Sequence, residues 1–516
     1  MKRQPLAVLF VLLGVMLTAG GAGAGDNNAG FKTSQPSMLT TVPGATLTPI
    51  ITVGETVTGH RFESIPDGIS LDPRGQGVVD AYVNHETSTV PFPYTPGAGA
   101  ANQNDFDNAQ VSMLRLSQHS AGVLNARMVI TSSENWQRFC SNYLPTAKEG
   151  FDRPILFTNE EATDFVFRTG QAWPAPASEP PAQQAGVVVA HDIRSGQTRP
   201  IMGMGRLNHE NSVAIPGYGH PVMLTTDDTF TSNPPQSQLY SYIAANADAV
   251  WNDEGDLYGF VSDNPAINDY YDFPVGVPLS VSGEFKKIDK SIAKGTQSQL
   301  EAASDALNVF QFVRLEDVAY DKRPGMQNVV YIADTGRGAT SAGGNPFTSS
   351  NGRVWKLVFD PSDPKRVLSL SVFIEGDDAP VKTLTEIHQP DNLETTPNGL
   401  YVTEDPGSSQ QFPAGSTDVN ATTARVWRHN LAGVMAPVLW VDQSADEGPT
   451  DVDPQAKGNL GAWEASGIID ASHVFGPGAF LVDVQAHTLW VEMAPGPDWT
   501  YKREGGQLLL FRLPGG

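Results

Sequence analysis

Short apolar runs that end in acidic residues recur along the chain. Each run holds four or five mostly apolar residues, and one or two acids or a turn follow it, a pattern typical of a buried β-strand that stops at a loop. The runs occupy residues 81–86, 155–161, 222–228, 330–336, 400–407 and 480–483. Several of them end in two adjacent acids, which is more than a turn requires.

Pairs of short strands separated by turn residues lie between these runs and predict β-hairpins. They cover residues 186–200, 353–373, 425–441 and 507–513. A repeat of about 70 residues with several short strands is typical of a β-propeller blade. We therefore predict an all-β fold, a six-bladed β-propeller over residues 51–515, with six acidic strand ends around a central channel. The plainer alternative is that these acids only form turns.

The longest interval between two acidic ends interrupts the strand pattern. It contains a stretch rich in Tyr, Asp and Pro, followed by a helical pattern over residues 286–307. We predict a small, partly helical insertion at about residues 250–308.

The charge balance excludes one class of partner. The chain has 33 Lys and Arg against 57 Asp and Glu, a net charge of −24 at pH 7. An excess of carboxylates repels a phosphate backbone, so we expect no nucleic-acid binding. The same excess suits a protein that binds cations.

The N-terminus has the pattern of an export signal. Lys2 and Arg3 precede an apolar run over residues 6–17, and Ala22, Gly23 and Ala24 form a small-residue cleavage site. The run is too short to span a bilayer, although an uncleaved anchor stays open as the alternative. We expect a signal peptide at residues 1–24, a flexible lead-in at 25–50, and a periplasmic or secreted monomer without stable membrane insertion.

Cys140 is the single cysteine of the chain, so no intramolecular disulfide can form. A packed core thiol, an intermolecular bridge and a metal ligand all stay open for it. Glu160 and Glu161 follow about twenty residues later at a strand end. A thiolate together with carboxylates offers soft and hard ligands, which suits iron with neighbouring calcium.

Arg314 and Glu316 alternate with Leu315, so in a strand their side chains project to the same side. The planar guanidinium of Arg314 is a fork of N–H donors that can bind phosphate, and the carboxylate of Glu316 would lie beside it. The alternative is a surface ion pair.

Four segments, taken in order with Cys140, resemble the secreted alkaline phosphatases of the PhoX type, a family of iron- and calcium-dependent propellers. The segments are residues 158–161, 205–210, 314–316 and 390–394. The resemblance implies a small phosphorylated substrate, a pair of Fe³⁺ ions bridged by Cys140, and Ca²⁺ ions that complete the cluster. It further implies metal ligands at Glu161, Glu210 and Glu316, and a phosphate contact from Arg314. Glu160 and Asp391 lie in matching segments and complete the expected ligand set, and we expect Arg314 and Glu316 to be the catalytic residues.

Two other functions stay open on the same architecture. One is a calcium-dependent propeller that cleaves lactones or phosphotriesters, and the other is a noncatalytic, metal-stabilised binding module. A site with calcium but no iron is also open. The sequence has no Gly-x-Ser-x-Gly, His-Glu-x-x-His, Walker or Cys-x-x-Cys motif that would favour a different chemistry.

Overall fold

The computed structural model describes most of the chain from residue 29 to residue 514. The described ranges are residues 29–90, 101–167, 182–232, 234–337, 351–377, 384–405, 416–417, 419, 421–453, 460–496 and 499–514. The signal peptide expected at residues 1–24 and the first part of the expected lead-in lie outside them.

The described part is mostly β and is built from antiparallel meanders, in each of which four strands pair side by side. Meander 1 consists of Pro66–Gly75, Val78–His85, Gln110–Ser117 and Val123–Ile130. Meander 2 consists of Phe139–Tyr143, Ile155–Glu160, Val188–Asp192 and Gln197–Ile201. Meander 3 consists of His209–Ala214, Val222–Asp227, Ser237–Ile243 and Asp256–Ser262. Meander 4 consists of Leu315–Tyr320, Val329–Asp334, Arg353–Asp360 and Asp363–Glu375. Meander 5 consists of Pro390–Thr396, Gly399–Glu404, Arg425–His429 and Met435–Val441. Meander 6 consists of Glu464–Asp470, Ala479–Pro495 and Thr500–Arg512, and Thr46–Thr52 completes it.

The first strand of each meander, here called its inner strand, lies at the centre of the molecule. Each inner strand contacts the inner strands of the two neighbouring meanders, and the inner strand of meander 6 contacts that of meander 1. The inner strands therefore form a closed ring. The acidic runs recognised in the sequence are the second strands, so the innermost strands are the ones that precede them in each meander. Three acids at the ends of the second strands, Glu86, Glu161 and Asp405, nevertheless line the cavity at the centre.

Two N-terminal strands tie the ends of the chain together. Thr46–Thr52 pairs with Thr500–Arg512, and Leu39–Thr41 pairs with Met435–Val441. Both strands cover sheet edges that would otherwise expose unpaired backbone groups. This corrects the flexible lead-in expected over residues 25–50, since residues 39–41 and 46–50 belong to sheets.

Apolar side chains fill the spaces between neighbouring meanders. Ile69 and Val83 of meander 1 pack with Leu481 and Leu510 of meander 6. Trp355 of meander 4 is fully buried within an aromatic cluster shared with meander 3. The two-residue alternation of each strand supplies one such face to each neighbour.

The expected insertion at residues 250–308 is partly sheet. Asp256–Ser262 is the fourth strand of meander 3, and Ser280–Lys287 is a fifth strand that also pairs with Asp363–Glu375 of meander 4. Helices Lys290–Ala293 and Gln297–Leu307 follow. The predicted helix at residues 286–307 therefore begins later, and Gly295 and the N-cap Thr296 divide it.

Other short elements connect the meanders. Strands lie at Thr56–Val57, His60–Arg61, Gln103–Asp105, Phe165–Phe167, Ala182–Gln184 and Gln311–Phe312, and short helices at Ser132–Glu134, Ala147–Glu149, Met202–Met204, Ala247–Trp251, Tyr270–Asp272, Gln443–Ala445 and Ser472–Phe475. Three predicted hairpins are present, whereas residues 507–512 belong to one long strand instead of a hairpin. Among the described residues, no helix is long and apolar enough to cross a membrane.

Candidate metal centre

Every inner strand contains a β-bulge at the same point near its start. After the first paired residue, or the second in meander 6, two residues of the inner strand face a single residue of the second strand, and pairing then resumes. The first bulged residues, in chain order, are Asp67, Cys140, Glu210, Glu316, Asp391 and Ser466. A bulge re-aims a side chain out of the regular ladder. Five of these six positions thus carry a carboxyl or thiol group, and all five line one cavity.

The second residue of each bulge lies between neighbouring inner strands and sets how closely they approach. Ser141 Oγ donates to Glu210 Oε1 at 2.9 Å and accepts from Asn392 Nδ2 at 2.8 Å. Gly68 occupies this position where two strands approach most closely, since a Cβ there would lie 2.3 Å from the backbone nitrogen of Asn142. These contacts fix the spacing of the side chains that line the cavity.

The cavity has a volume of about 700 Å³ and lies at the end of the ring where the inner strands begin, since residues near their starts line it. Carboxylates and Cys140 form its interior, and a few cations complete the wall. Its charged and thiol residues are Asp67, Glu86, Arg138, Cys140, Glu161, Asp164, Glu210, Arg314, Glu316, Arg337, Asp391, Asp405, Glu464 and His487.

Adjacent acids at the ends of the second strands have different positions. Glu160 lies behind the cavity wall, where Oε1 accepts the N–H of Gln137 at 2.9 Å and Oε2 accepts the N–H of Gly186 at 3.1 Å. Glu161, the next residue, lines the cavity. Alternation along the strand separates the two side chains, so Glu160 holds loops in place and is not placed to bind a metal with Cys140.

The same separation occurs in meander 5. Glu404 accepts backbone N–H groups from His388 and Arg425, whereas Asp405 lines the cavity. In meander 4 the strand-end acid Asp334 accepts the N–H of Arg314 at 3.0 Å and lies outside the cavity lining. Part of the acidic repeat is therefore structural, as the turn-former alternative expected.

Three groups of donor atoms could each hold a metal ion. Within each group the ligand atoms all lie within 4.8 Å of one another. The groups are Asp67, Glu86 and Cys140; Cys140, Glu161 and Glu210; and Glu210, Glu316 and Asp391. Because Cys140 belongs to the first two groups and Glu210 to the last two, the groups form one continuous row of donors.

Cys140 faces carboxyl groups inside this row. Its thiol lies 3.2 Å from Glu161 Oε2, whereas the preceding Phe139 packs into an apolar cluster. Burial raises the pKa of the thiol, and Glu161 raises it further. A core thiol would be packed by apolar groups, so this position favours the metal-ligand alternative.

The crowding of buried acids disfavours their ionised forms. Burial, followed by the charges of neighbouring acids, raises the pKa of Glu161, Glu210 and Asp391 well above the usual range. The pKa of Asp67 rises to about 8 through burial and the nearby Glu86. Such a cluster is costly unless cations compensate it, and hard cations prefer carboxylate oxygens.

Arg314 and Glu316 meet inside the cavity, as their spacing predicts. Arg314 Nη2 lies 2.8 Å from a Glu316 oxygen, and Nε and Nη2 each donate to Asp228 at 2.8 Å. The guanidinium also lies 4.8 Å from the centre of the Phe230 ring. The pair is buried, with 9% of the Arg314 side chain exposed, so the surface ion pair considered above is excluded.

Sequence reasoning missed several residues of this site. The residues that it did not assign to the site are Asp67, Arg138, Arg337, Glu464 and His487, whereas Glu86, Asp228 and Asp405 lie at acidic strand ends that were predicted to meet at the centre. Asp67 had a detectable signal, because Asp67 and Gly68 align with Cys140 and Ser141 at the start of an inner strand. His487 had none, since it reaches the site from the interior of the long strand Ala479–Pro495.

A family model described as alkaline phosphatase PhoX matches residues 130–450, more than half of the chain. A search of curated protein sequences finds no match. Among solved structures, the α-L-arabinofuranosidase Arb93A from Fusarium graminearum is 8% identical, with a TM-score of 0.39 over 90% of this chain and 97% of that one. The β-propeller domain of the Trilobed protease from Pyrococcus furiosus is 8% identical, with a TM-score of 0.30 over 82% and 91%. Likenesses at these scores establish no activity for the chain.

Proposed function

The chain belongs to the PhoX alkaline phosphatase family and is therefore a hydrolase of phosphoric esters, and from this premise we propose that the central cavity holds the metal ions at which the esters are hydrolysed. The observation that carries the proposal is the continuous row of donor groups that share Cys140 and Glu210. These donors lie at equivalent bulges of neighbouring inner strands, so the ring itself sets their spacing.

The donor set fits calcium together with iron. The carboxylates of Asp67, Glu86 and Asp391 are hard oxygen ligands that suit Ca²⁺. The Cys140 thiolate is a soft ligand, and with Glu161 and Glu210 around it the site suits Fe³⁺. A calcium-only site remains the alternative form of the same proposal.

Bound cations act as Lewis acids on phosphoryl oxygens and stabilise the negative charge that develops in phosphoryl transfer. The protein's own side chains prepare this site. The acids hold the ions, and Arg314 stands beside Glu316 where its guanidinium can donate to a phosphoryl oxygen. Asp228 and Phe230 keep the Arg314 side chain in that position.

The ring of inner strands supports the architecture inferred from the sequence. We interpret each meander as one blade of a six-bladed β-propeller, with Thr46–Thr52 closing the last blade. The two strands at Ser280–Lys287 and Asp363–Glu375 join the outer edges of two blades. The localisation follows as a further part of the proposal: residues 1–24 direct export, and the enzyme acts in the periplasm or outside the cell on a small phosphorylated substrate.

Metal analysis together with kinetics tests the proposal. The full chain is purified without chelators, its metals are quantified, and phosphate release from a phosphomonoester is measured before and after exhaustive chelation. We expect calcium and iron, loss of activity on chelation, and recovery when both ions are returned. Undiminished phosphate release from metal-free protein would contradict the proposal. Cleavage of lactones or phosphotriesters without cleavage of monoesters would favour the first alternative function, and metal binding without any hydrolysis would favour the second.

A further inference from the structure

The cations around the cavity differ in how far their charges are compensated. Arg138 pairs with Asp164 at 3.2 Å, and His487 contacts Glu504 at 3.3 Å. Arg314 is shared by Asp228 and Glu316, both at 2.8 Å. Each of these basic side chains therefore already has at least one acidic partner.

Arg337 is different. Its side chain donates to the backbone oxygen of Phe230, and among the described residues it forms no ion pair with a carboxylate. It lines the cavity and is only half-buried, so its guanidinium is accessible from the mouth. The charge of Asp228 acts on Arg337, but among the described residues no carboxylate lies at ion-pair distance from it, and such a guanidinium in a chain of net charge −24 suits an anionic ligand.

The backbone around Arg337 is anchored to the proposed metal centre. Thr335 Oγ1 donates to Glu316 Oε1 at 3.0 Å and lies 2.7 Å from the backbone oxygen of Pro390. The Gly336 N–H donates to Asp334 at 3.2 Å. Arg337 thus extends from a segment that is fixed against the cavity floor, which lowers the entropic cost of binding a ligand.

Phe230 separates the two arginines. Its ring faces Arg314, which is buried beside Glu316, and its backbone oxygen receives Arg337, which lies nearer the solvent. A phosphoryl group at the proposed metals is therefore next to Arg314. A leaving alcohol that extended from such a phosphoryl group past Phe230 would meet the guanidinium of Arg337.

We propose that Arg337 binds a second anionic group, carried by the leaving alcohol, and so determines a preference for phosphate monoesters of anionic alcohols. This inference rests on the proposed phosphatase function of the same cavity. Both a carboxylate and a second phosphate match the planar guanidinium, because each offers two oxygens to its N–H donors.

A matched pair of substrates tests this role. Glycerol 3-phosphate and 3-phosphoglycerate differ mainly in a hydroxymethyl group against a carboxylate at the end remote from the phosphate. We expect wild-type kcat/KM to favour 3-phosphoglycerate, and Arg337→Gln to lower that ratio about tenfold, the effect of losing one charge-assisted hydrogen bond. Arg337→Lys keeps the charge without the planar fork and should retain part of the preference. As a control, Arg366→Gln removes an exposed arginine paired with Asp263 outside the cavity and should leave the ratio unchanged.

Equilibrium binding separates this proposal from the phosphatase function. If wild-type protein hydrolyses neither compound, dissociation constants of both compounds for the metal-loaded protein decide the role of Arg337. A lack of phosphate release from any phosphomonoester would count against the proposed function and not against the binding role of Arg337. Tighter binding of 3-phosphoglycerate that is lost in Arg337→Gln supports the proposal. Equal affinity of wild-type protein for the two compounds, or a preference that Arg337→Gln retains, overturns it.

Discussion

Arg314 and Asp228 form a two-pronged ion pair inside the cavity, with Nε and Nη2 each 2.8 Å from a different carboxylate oxygen. Oε1 of Glu316 lies 2.8 Å from the same Nη2 atom of Arg314. Arg314 therefore compensates two buried acids directly, and its remaining nitrogen Nη1 faces the cavity, 3.9 Å from Asp405. A variant at this position changes the stability of the fold as well as the chemistry.

We expect Arg314→Ala to destabilise the protein by about 3–5 kcal/mol, because Asp228 would lose its buried partner. Arg314→Lys retains a positive charge but not the two-pronged geometry, so it should lose less stability while kcat/KM for a phosphomonoester still falls about a hundredfold. Denaturant unfolding and steady-state kinetics on the same preparations measure both effects. Wild-type turnover in Arg314→Lys would exclude a role in binding the phosphoryl group.

The sequence was sufficient to predict the strand pattern of the meanders and several residues of the site. Cys140, Glu161, Glu210, Glu316 and Asp391 all line one cavity. The strand pattern alone indicated an acidic strand end at Glu161, whereas the resemblance to the PhoX family implied the metal-binding role of these residues.

The sequence was not sufficient where a distant partner decides the structure. Thr46–Thr52 contains Pro49 and many threonines, which resembles a linker, but it pairs with Thr500–Arg512 at the other end of the chain. Proline is tolerated in this edge strand beside a register shift. Likewise, the side to which Glu160 turns depends on a distant loop, because the N–H of Gly186 donates to the Glu160 carboxylate.

Cys140→Ser should separate the two proposed ions. Serine is nearly isosteric with cysteine but is a much poorer ligand for soft metals, so iron and its visible absorption should be lost while calcium is largely retained. Absorption spectra, elemental analysis and melting curves compare the two proteins. A Cys140→Ser protein with unchanged metal content would show that the thiol binds no ion.

The pKa of Asp67 predicts how stability depends on pH. Burial and Glu86 raise this pKa from 3.8 to about 8 in the folded protein without ions. Between these values the folded state binds a proton that the unfolded state has lost, so the free energy of unfolding falls as pH rises, by about 1.4 kcal/mol per pH unit for one such group.

Bound cations should remove this dependence between about pH 4 and pH 8, because they keep the folded-state carboxylate ionised, as it is in the unfolded chain. The gain in melting temperature on adding metal should therefore grow between about pH 4 and pH 8. Thermal denaturation with and without chelator across this range measures the gain, and Asp67→Asn serves as the control that flattens the metal-free curve. A gain that stays constant with pH would contradict the assignment of Asp67 to the cluster.

Gly68 tests whether the close approach of two inner strands sets the spacing of Asp67 and Cys140. A Cβ at Gly68 would lie 2.3 Å from Asn142 N and 2.6 Å from Ser141 C, so Gly68→Ala must displace one inner strand. We expect a loss of about 1–3 kcal/mol of stability together with weaker metal binding.

Gly75→Ala provides a comparison at a turn where no heavy atom of the described residues lies within 4 Å of the added group, although its φ of +74° adds backbone strain there. A Gly68→Ala protein that loses stability but binds metal normally would contradict the link between strand spacing and the site.

The adjacent residues Glu160 and Glu161 distinguish a structural acid from a proposed metal ligand. Glu160→Gln keeps the shape but loses charge at an anchor that accepts N–H groups from Gln137 and Gly186, so the melting temperature should fall while the metal content of the folded protein persists.

Glu161→Gln weakens a hard-cation ligand beside Cys140, so metal content and kcat/KM should fall together by at least about tenfold. In the absence of metal, Glu161→Gln should even raise the melting temperature, because it removes one of several crowded acids whose ionisation burial opposes. Melting curves with and without chelator, metal analysis and kinetics on both variants provide the comparison. Equal metal loss in both variants would show that the two acids act together in the site, and normal metal binding in Glu161→Gln would remove this residue from the proposed ligand set.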